Sequence, residues 1–391
     1  MSRWRRQLPA YSPLSAAAVA AGWLGSDRRS ELREELRREY DAADVILTGS
    51  GTMALELALQ VASAGRPGAA CVLPAYGCFD LATAAVGAGG PGRLYDLDPL
   101  TLAPDAASLE RALTGGAAAL VVVHLYGIPV PMDAMHAAAA RAGAVLIEDS
   151  AQGAGGRWQG RPLGAHGAMG ILSFGRGKGL TGGGGGALVV KSPDLVPQAI
   201  ERSRGADFTS SLPLAAKLTA QWLLGRPSLY RLPASLPGLR LGDTVYHPPA
   251  PLRDMSPASS RVVLRTLTFV ATEVLRRRVH AGRLRTAAAG APGLSPVAVP
   301  DPEQASWLRL PILTDAPAAT VAERWSALGV QAGYPIALGK LRVLAGRIDG
   351  SPDMPGAARL AGHLVTLPTH SLLSGRDLSE LEDRLARGLR A

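Results

Sequence analysis

The feature that most constrains the fold is an alternation of short apolar runs with helix-like segments between residues 44 and 190. Seven runs have the character of buried strands: "VILTG", "ACVLPAY", "GRLYDLD", "AALVVVHLYG", "AVLIEDS", "GILSF" and "GALVV". Segments such as "TMALELALQVASA" and "MDAMHAAAARAG" lie between them. Strands that alternate with helices favour a mostly parallel sheet covered on both faces. The sequence therefore predicts an α/β fold with a large, mostly parallel sheet.

The pattern changes after residue 202. The segment "SLPLAAKLTAQWLLGRPSLYRLPASLPGLRLGD" is rich in Leu and Pro and contains one short amphipathic helix around Leu214 to Leu224. A smaller α+β region follows and ends in the helical segment "DLSELEDRLARGL". We therefore predict a large domain over residues 1–202, an apolar connecting insert over 203–255 and a small C-terminal domain over 256–391.

Two helices outside the alternating region have predicted starts. The segment "SELREELRREY" places Leu32, Leu36 and Tyr40 on one helical face behind a Ser30 cap. The segment "SSRVVLRTLTFVATEVLRRRVHAGRLR" predicts one long helix that begins near Ser259.

The composition is that of an enzyme-sized globular protein, with 391 residues of which 47% are hydrophobic. No apolar run approaches the length of a membrane helix, and the start lacks the unbroken apolar core of a signal peptide, so we expect a cytoplasmic protein without stable membrane insertion. The two cysteines, Cys71 and Cys78, are too few for a disulfide framework and lack the clustered partners of a zinc site. They are interpreted as free thiols, and no metal is expected.

The formal net charge of +9 does not by itself indicate a nucleic-acid partner, because the arginines are spread along the chain. Scattered basic residues are typical of solvated helix faces, and we expect no nucleic-acid binding. Attraction of a phosphorylated substrate is the alternative use of the charge. Composition does not separate the two.

Lys178 lies in "GILSFGRGKGLTGGGGGALVV", a setting that two chemistries use. A phosphate-binding loop of an NTPase requires Gly, four residues, Gly-Lys and then Ser or Thr. Here Leu172 occupies the first glycine position and Gly179 follows the lysine. The glycine run also leads into another strand rather than a helix, so the NTPase reading is excluded. The remaining chemistry is that of an amine that bonds to a carbonyl cofactor and then moves protons at a substrate carbon.

Polar stretches follow four of the predicted strands, at residues 50–52, 76–79, 149–152 and 173–178. In parallel sheets, ligands bind at the carboxyl ends of the strands. The "GSGT" stretch opens a helix whose free amides and dipole favour an anion such as a phosphate. An ordinary helix cap without a ligand is the alternative for Ser50 or Thr52. The glycine run itself suits close backbone approach and positive φ.

An ordered series of motifs resembles the DegT/DnrJ/StrS family of fold-type I pyridoxal-phosphate enzymes, which are chiefly sugar aminotransferases. The motifs are "GSGTMALELAL", "HLYG" with "PMDAM", "IEDSAQGAG", "GRPLG", "SFGRGKGL" with "GGGGALVV", "YPIAL" and "LPTH". The resemblance implies pyridoxal 5′-phosphate as cofactor and amino transfer, with glutamate as donor and a keto group of a nucleotide-linked sugar as acceptor. It also implies polysaccharide or secondary-metabolite biosynthesis and a homodimer with active sites at the subunit interface.

The resemblance also assigns residues. Lys178 matches the anchoring lysine, and Asp149, at the end of "AVLIED", matches the aspartate that keeps the pyridine nitrogen protonated. A helix cap is the alternative role for Asp149. Gln152 matches a contact to the cofactor's phenolic oxygen, and Ser173 matches a phosphate-binding serine. Lys178 and Asp149 are predicted to be catalytic, and the predicted cofactor-binding residues are Ser50, Gly51, Thr52, Tyr76, Cys78, Phe79, Asp149, Gln152, Ser173 and Lys178.

Three features depart from the family pattern. The position of the aromatic residue that stacks on the cofactor ring holds Cys78, so Tyr76, Phe79 or the thiol itself could cover the ring. The asparagine that reaches the phosphate from the partner subunit is replaced by Leu252. The insert is longer and more apolar than in the family, and its Leu214, Trp222 and Leu223 predict packing on a partner subunit or over an apolar acceptor.

Two other functions are alternatives to amino transfer. Sugar dehydratases of the same family carry histidine in place of the lysine, so the presence of Lys178 favours an aminotransferase over a lyase or dehydratase relative. A non-catalytic regulatory protein that retains the cofactor pocket is the second alternative. His124, a lone histidine at a strand end, is interpreted as a packed residue without a catalytic role.

Overall fold

A computed structural model describes residues 5–208, 210–235, 244–348 and 353–388. Its strands are Asp44–Thr48 (β1), Cys71–Pro74 (β2), Gly92–Tyr95 (β3), Ala119–Val123 (β4), Val145–Asp149 (β5), Arg157–Trp158 (β6), Arg161–Pro162 (β7), Met169–Ser173 (β8), Gly186–Val190 (β9), Asp207–Phe208 (β10), Arg253–Asp254 (β11), Leu294–Pro296 (β12), Arg309–Thr314 (β13), Gln331–Ala332 (β14) and Leu364–Pro368 (β15).

The α-helices surround these strands. They are Ala16–Trp23 (α1), Arg29–Glu39 (α2), Gly51–Ala64 (α3), Asp80–Ala88 (α4), Ala106–Leu113 (α5), Met132–Ala142 (α6), Val196–Ser203 (α7), Ser211–Leu224 (α8), Arg231–Ala234 (α9), Pro257–Leu267 (α10), Val270–Ala288 (α11), Ala318–Trp325 (α12), Pro355–His363 (α13) and Gly375–Arg387 (α14).

The large sheet contains all seven strands that the apolar runs predict, in the order β1-β9-β8-β5-β4-β2-β3. Strand β9 is antiparallel to β1 and β8, and the remaining pairs are parallel. Every residue of β4 and β9 is buried, as expected of strands covered on both faces. The predicted α/β fold with a mostly parallel sheet is confirmed.

The four polar stretches predicted to follow strands lie at one edge of this sheet. Strands β1 and β8 both run antiparallel to β9, so they run parallel to each other and to β5, β4 and β2. The carboxyl ends of these strands therefore lie on the same side of the sheet. Residues 50–52, 76–79, 149–152 and 173–178 follow the ends of β1, β2, β5 and β8.

A second, four-stranded antiparallel sheet has the order β12-β13-β15-β14 and lies in the C-terminal part of the chain. Helices α11 and α14 pack against each other beside it. The two sheets occupy the regions assigned to a large and a small domain, while the boundaries at residues 202 and 255 stay predictions.

The long helix expected from Ser259 is two helices, so that prediction is wrong. Helix α10 ends at Leu267, and α11 begins at Val270. The Thr266 hydroxyl donates to the carbonyl of Thr181 at 2.7 Å, which attaches the end of α10 to the glycine-rich loop. This tertiary contact has no signature in the apolar periodicity.

The predicted Ser30 cap is also wrong, because α2 begins at Arg29 and Ser30 lies inside it. The Asp27 carboxylate accepts a hydrogen bond from the Arg29 N–H at 3.0 Å, so an earlier acidic residue satisfies a free amide at the helix start. The predicted apolar face is present, since Leu32, Leu36 and Tyr40 are buried.

The connecting insert packs partly on the large domain. In α8, Leu218 is buried against the glycine run, where a Cβ added to Gly183 would lie 2.6 Å from the Leu218 side chain. Leu214 and Trp222 pack in the same small cluster. Among the described residues of the insert, four leucines are exposed instead: Leu212, Leu223, Leu229 and Leu232. In the part of the chain that the structure describes, no helix is long and apolar enough to cross a membrane.

The N-terminal segment connects the small domain to the loop that carries Lys178. The carboxylate of Asp377, at the start of α14, accepts hydrogen bonds from Arg5 and from the Gln7 amide at 2.7 and 2.8 Å. Further along, the Ser12 hydroxyl donates to the Lys178 carbonyl. The segment therefore holds the Lys178 backbone from one side.

We expect Asp377→Asn to weaken this attachment. Burial by itself would raise the pKa of Asp377, but hydrogen bonds from Arg5, Ser374 and Gln7 outweigh it and lower the pKa to about 2. Because the folded pKa lies below the unfolded value, the contribution to stability is present above about pH 4 and is lost as the pH falls towards 2. Replacing a charged hydrogen-bond acceptor of this kind costs about 1–3 kcal/mol.

Thermal unfolding between pH 7 and pH 2.5 tests this expectation. Asp377→Asn should unfold several degrees below the native protein at pH 7, and the difference should shrink below pH 4. Asp383→Asn, at an exposed position of the same helix, serves as the control and should match the native protein. A difference that stays constant with pH would contradict the assignment.

Candidate functional site

Lys178 lies in the loop between β8 and β9, and its N–H donates to the carbonyl of Gly175 at 3.4 Å. Its side chain lines a cavity between the large sheet and the small domain. The other residues that line this cavity are Ala10, Tyr126, Gln152, Arg176, Gly177, Thr244, Leu308, Arg309, Gln331, Ala332, Gly333 and Tyr334. Thr244 belongs to the predicted insert, so the insert contributes to the cavity wall.

Asp149 is a buried carboxylate at the end of β5. Its Oδ1 accepts a hydrogen bond from the Ala151 N–H at 2.9 Å. Burial raises the pKa of Asp149, and the positive charge of Lys178 acts in the opposite direction. A carboxylate in such a place is stabilised in its charged form by a cation brought into contact with it. The position therefore suits a residue that holds a protonated ring nitrogen.

Gln152 has a fixed amide orientation. Its Oε1 accepts a hydrogen bond from the Tyr126 N–H at 3.0 Å, and its Nε2 donates to the Tyr334 hydroxyl at 2.8 Å. The rings of Tyr126 and Tyr334 stack with centroids 6.1 Å apart. Tyr126 has a φ of 57°, in the left-handed region that a large side chain rarely adopts. The Gln152 amide is thus held by neighbours whose own conformations are constrained.

The three residues proposed to cover the cofactor ring have different surroundings. Tyr76 is fully buried, and its hydroxyl accepts a hydrogen bond from the Tyr334 N–H at 2.9 Å. Phe79 is buried at the start of α4. Cys78 is half-buried as a residue, and burial of its thiol raises the pKa to about 12, although the charge of Lys178 acts to lower it. The charge of Lys178 therefore acts on the Cys78 thiol, while the contact of any of the three side chains with a cofactor stays a prediction.

The start of α3 forms a close-packed cradle with the end of β8. The Ser50 hydroxyl accepts a hydrogen bond from the Met53 N–H at 3.2 Å, so this side chain acts as a helix cap. A Cβ added to Gly51 would lie 2.7 Å from the Cβ of Ser173, which only glycine avoids. The first amides of α3 have no carbonyl one turn earlier, and the helix dipole favours an anion there. Gly51, Thr52 and Ser173 stay the predicted phosphate contacts, and a cofactor contact of Ser50 also stays a prediction.

His124 and Glu148 form a buried pair within the sheet. The His124 Nδ1 accepts a hydrogen bond from the Val130 N–H at 3.0 Å, so the ring proton is on Nε2 and is donated to Glu148 at 2.8 Å. The Glu148 carboxylate also accepts the His166 N–H at 2.7 Å. Both side chains are fully buried. Their hydrogen bonds connect backbone segments of the large domain, which is a structural role.

Two arginines near the site were not predicted from the sequence. Arg277 in α11 is buried, donates to the Tyr11 carbonyl at 2.6 Å and pairs with Glu273 at 3.4 Å. Arg309 begins β13 and reaches the cavity from the small domain. The available signal is a lone charge beside apolar residues, as in "WLRLPIL". Such a pattern indicates a buried charge but not its location relative to Lys178.

The residues present fit pyridoxal 5′-phosphate. The cofactor needs an amine, a buried carboxylate and an anion cradle, and the structure places Lys178, Asp149 and the Gly51–Ser173 contact at one edge of the sheet. The absence of a Cβ at Gly51 is the strongest indication that the cofactor phosphate fits here, because any larger residue would fill the cradle between the start of α3 and Ser173.

Similar proteins of known structure share this fold. One is AtS13 from Actinomadura melliaura, with a TM-score of 0.78, 22% identity, and 98% of this chain and 99% of that chain covered. Another is E. coli GDP-4-keto-6-deoxy-D-mannose-3-dehydratase with bound hydrated PLP, with a TM-score of 0.76, 15% identity, and 97% and 99% covered. At these identities the similarity shows the fold alone.

The sequence itself is similar to L-glutamine:2-deoxy-scyllo-inosose aminotransferase of Micromonospora echinospora, with 35% identity over 180 residues. That alignment covers 46% of this chain and 43% of the relative, so the chain matches less than half of the relative's length. Residues 15–208 match the sequence model of the DegT/DnrJ/EryC1/StrS aminotransferase family. This segment, which is just under half of the chain and contains Lys178, Asp149, Gln152 and Ser173, belongs to the DegT/DnrJ/EryC1/StrS aminotransferase family.

Proposed function

We propose that the protein is a pyridoxal-phosphate-dependent aminotransferase that moves an amino group from an amino acid to the keto group of a sugar or cyclitol. The proposal rests on one observation: the same edge of the large sheet holds Lys178, Asp149, Gln152 and the start of α3. The resemblance implies glutamate as donor, and the name of the Micromonospora relative specifies L-glutamine. We propose that one of these two amino acids is the donor.

The residues have separate roles in this proposal. When bound, pyridoxal phosphate supplies an electron-withdrawing ring that stabilises negative charge on a substrate carbon. Asp149 would keep the ring nitrogen protonated, and the Lys178 amine would bond to the cofactor and move the proton of the donor α-carbon. Gly51, Thr52 and Ser173 would hold the phosphate. Gln152, held by Tyr126 and Tyr334, would contact the phenolic oxygen.

Amino transfer is favoured over the two alternatives by Lys178. A dehydratase of this family carries histidine at the lysine position, whereas here the lysine lines the cavity. A regulatory protein would need the pocket but no proton transfer. Absorbance spectra separate the aminotransferase from the regulatory protein, since an aminotransferase loaded with cofactor changes its spectrum when donor is added, and a protein that only binds the cofactor does not.

The deciding experiment mixes the cofactor-loaded protein with glutamine or glutamate and a panel of acceptors. The panel contains nucleotide-linked keto-sugars and keto-cyclitols, and mass spectrometry identifies a product in which an amino group replaces the keto oxygen. Formation of such a product supports the proposal. An unchanged cofactor spectrum with both donors, together with the absence of any aminated product, would refute it.

We also propose that the protein is a homodimer in which the insert packs on the partner subunit. The resemblance implies dimers, and the exposed leucines of the insert offer apolar surface that a partner would cover. We expect Leu223→Asp and Leu232→Asp to weaken dimerisation by about 10-fold or more, because each places a charge in a buried contact. Neither change should unfold the monomer, since both side chains are exposed in it.

Light scattering over a range of concentrations measures this effect. Leu24→Asp is the matched control, because Leu24 is also exposed but lies outside the insert, and it should leave the association unchanged. A native protein that is monomeric at all concentrations, or variants that dimerise as strongly as the native protein, would rule out this interface.

A further inference from the structure

Arg309 is a cation without a carboxylate partner in the described part of the chain. Its Nη1 donates to the Gln331 side chain at 3.0 Å, and its Nη2 makes a long contact of 3.4 Å with the Thr366 carbonyl. Its Nε is buried and has no hydrogen-bond partner among the described residues. The hydrogen bonds that Arg309 makes are therefore to neutral groups, and they leave donor capacity free.

Among the described residues that line the cavity with Arg309, none carries a negative charge that could balance the guanidinium. The described residues that line the cavity include Arg176 and Lys178 but neither Asp nor Glu. The polar neighbours are phenols, and burial raises the pKa of one of them, Tyr126, to about 12, which keeps it neutral near pH 7. Burial lowers the pKa of Arg309 to about 10, so the guanidinium stays protonated. An unbalanced charge in such a place is costly unless an anion joins it.

The backbone before Arg309 is held in a rare conformation. Trp307, two residues earlier, has a φ of 47° and is fully buried. Its indole N–H donates to the Pro302 carbonyl at 2.9 Å, and its own carbonyl accepts a hydrogen bond from the Thr369 hydroxyl at 2.5 Å. A large residue keeps such a φ only where its neighbours enforce it. The start of β13, and with it the base of the Arg309 side chain, is therefore fixed in position.

The chemical class of the anion follows from two groups that line the same cavity, the Arg309 guanidinium and the Lys178 amine. A guanidinium presents paired N–H donors that match a carboxylate. An amino-acid donor carries its carboxylate on the same carbon as its amine, and that amine would react with the cofactor held by Lys178, so both groups would enter the cavity together. We propose that Arg309 binds the α-carboxylate of the amino donor, with Gln331 as a positioning residue. This inference rests on the proposed aminotransferase function.

Calorimetric titration tests the inference without turnover. The cofactor-loaded protein is titrated with two keto acids, 2-oxoglutarate and 2-oxoglutaramate, which share the carboxylate next to the keto carbon and differ at the far end. We expect Arg309→Gln to weaken both by a similar factor, about 10- to 100-fold, because a charge-assisted pair is lost. Arg309→Lys should lose less, since it keeps the charge but not the paired donors. Arg324→Gln, at an exposed position of the small domain, should change neither affinity.

Bound-cofactor absorbance and the melting temperature are recorded for each variant. If Arg309→Gln has a weaker cofactor absorbance or a lower melting temperature than the native protein, Arg309→Lys is the deciding variant. Equal affinity of Arg309→Lys and the native protein for both keto acids would overturn the inference. Weakening confined to 2-oxoglutarate would also overturn it, because Arg309 would then bind the distal carboxylate. Unchanged keto-acid affinity with weakened binding of uridine diphosphate would instead assign Arg309 to a nucleotide phosphate.

The inference and the proposed function can fail separately. If the native protein aminates a keto-sugar while Arg309→Gln binds both keto acids normally, the proposed function is supported and the inference is contradicted. If the native protein binds the keto acids through Arg309 but forms no product with either donor, Arg309 is a carboxylate site. The proposed function and the assignment of that site to an amino donor are then both contradicted.

Discussion

Lys178→Ala abolishes amino transfer, with an expected loss of about 10⁴-fold or more. The substitution removes both the amine that would bond to the cofactor and the group that would move the α-proton, and general acid–base catalysis alone contributes 10²–10⁴-fold. The fold should survive, because the side chain lines a cavity rather than the core. The variant should still take up pyridoxal phosphate, but without a covalent bond.

Borohydride reduction followed by peptide mapping measures that bond directly. The chain has four lysines, at positions 178, 191, 217 and 340, so the outcome is unambiguous. The cofactor mass should be on the peptide that contains Lys178 in the native protein and absent in Lys178→Ala. Lys340→Ala, at an exposed position, should label and react normally. A label on any other lysine would exclude Lys178 as the anchor.

Asp149→Asn should reduce the rate of amino transfer by about 10²–10³-fold. The amide has the shape of the carboxylate but not its charge, so the ring nitrogen would lose two to three pKa units of stabilisation, about 3–4 kcal/mol. Donor-dependent spectral changes and product formation measure the effect. Asp194→Asn, at an exposed position, is the matched control. Near-normal transfer by Asp149→Asn would refute the role.

Two further readouts separate this role from a structural one. Burial raises the pKa of Asp149 above its ordinary value, so in the cofactor-free protein the ionised carboxylate costs stability as the pH rises through that pKa. Asp149→Asn should therefore leave the cofactor-free melting temperature at neutral pH unchanged or raised, whereas loss of a structural carboxylate would lower it. Cofactor affinity of the native protein should fall as the pH falls and Asp149 takes up a proton. That dependence should be absent in the variant.

The local pattern predicted most of the large domain. Strands β1 to β5, β8 and β9 were identified because each is a short apolar run with turn residues beside it, and this signal lies within a few residues. The polar stretches at their ends could be placed at one sheet edge because parallel strands share a direction. Two helix ends were not predicted from the pattern: the start of α2, where Asp27 accepts the Arg29 N–H, and the end of α10, where Thr266 donates to Thr181.

The sequence by itself determined the sheet, the family and the placement of Lys178 and Asp149 at strand ends, since each depends on residue type and short spacing. Only the tertiary structure decided which distant residues meet Lys178. Ser12 reaches the Lys178 carbonyl, and Arg309 faces the same cavity from the small domain, although Arg309 lies 131 positions after Lys178 in the sequence. Such meetings depend on how two sheets pack against each other, and local periodicity carries no information about that packing.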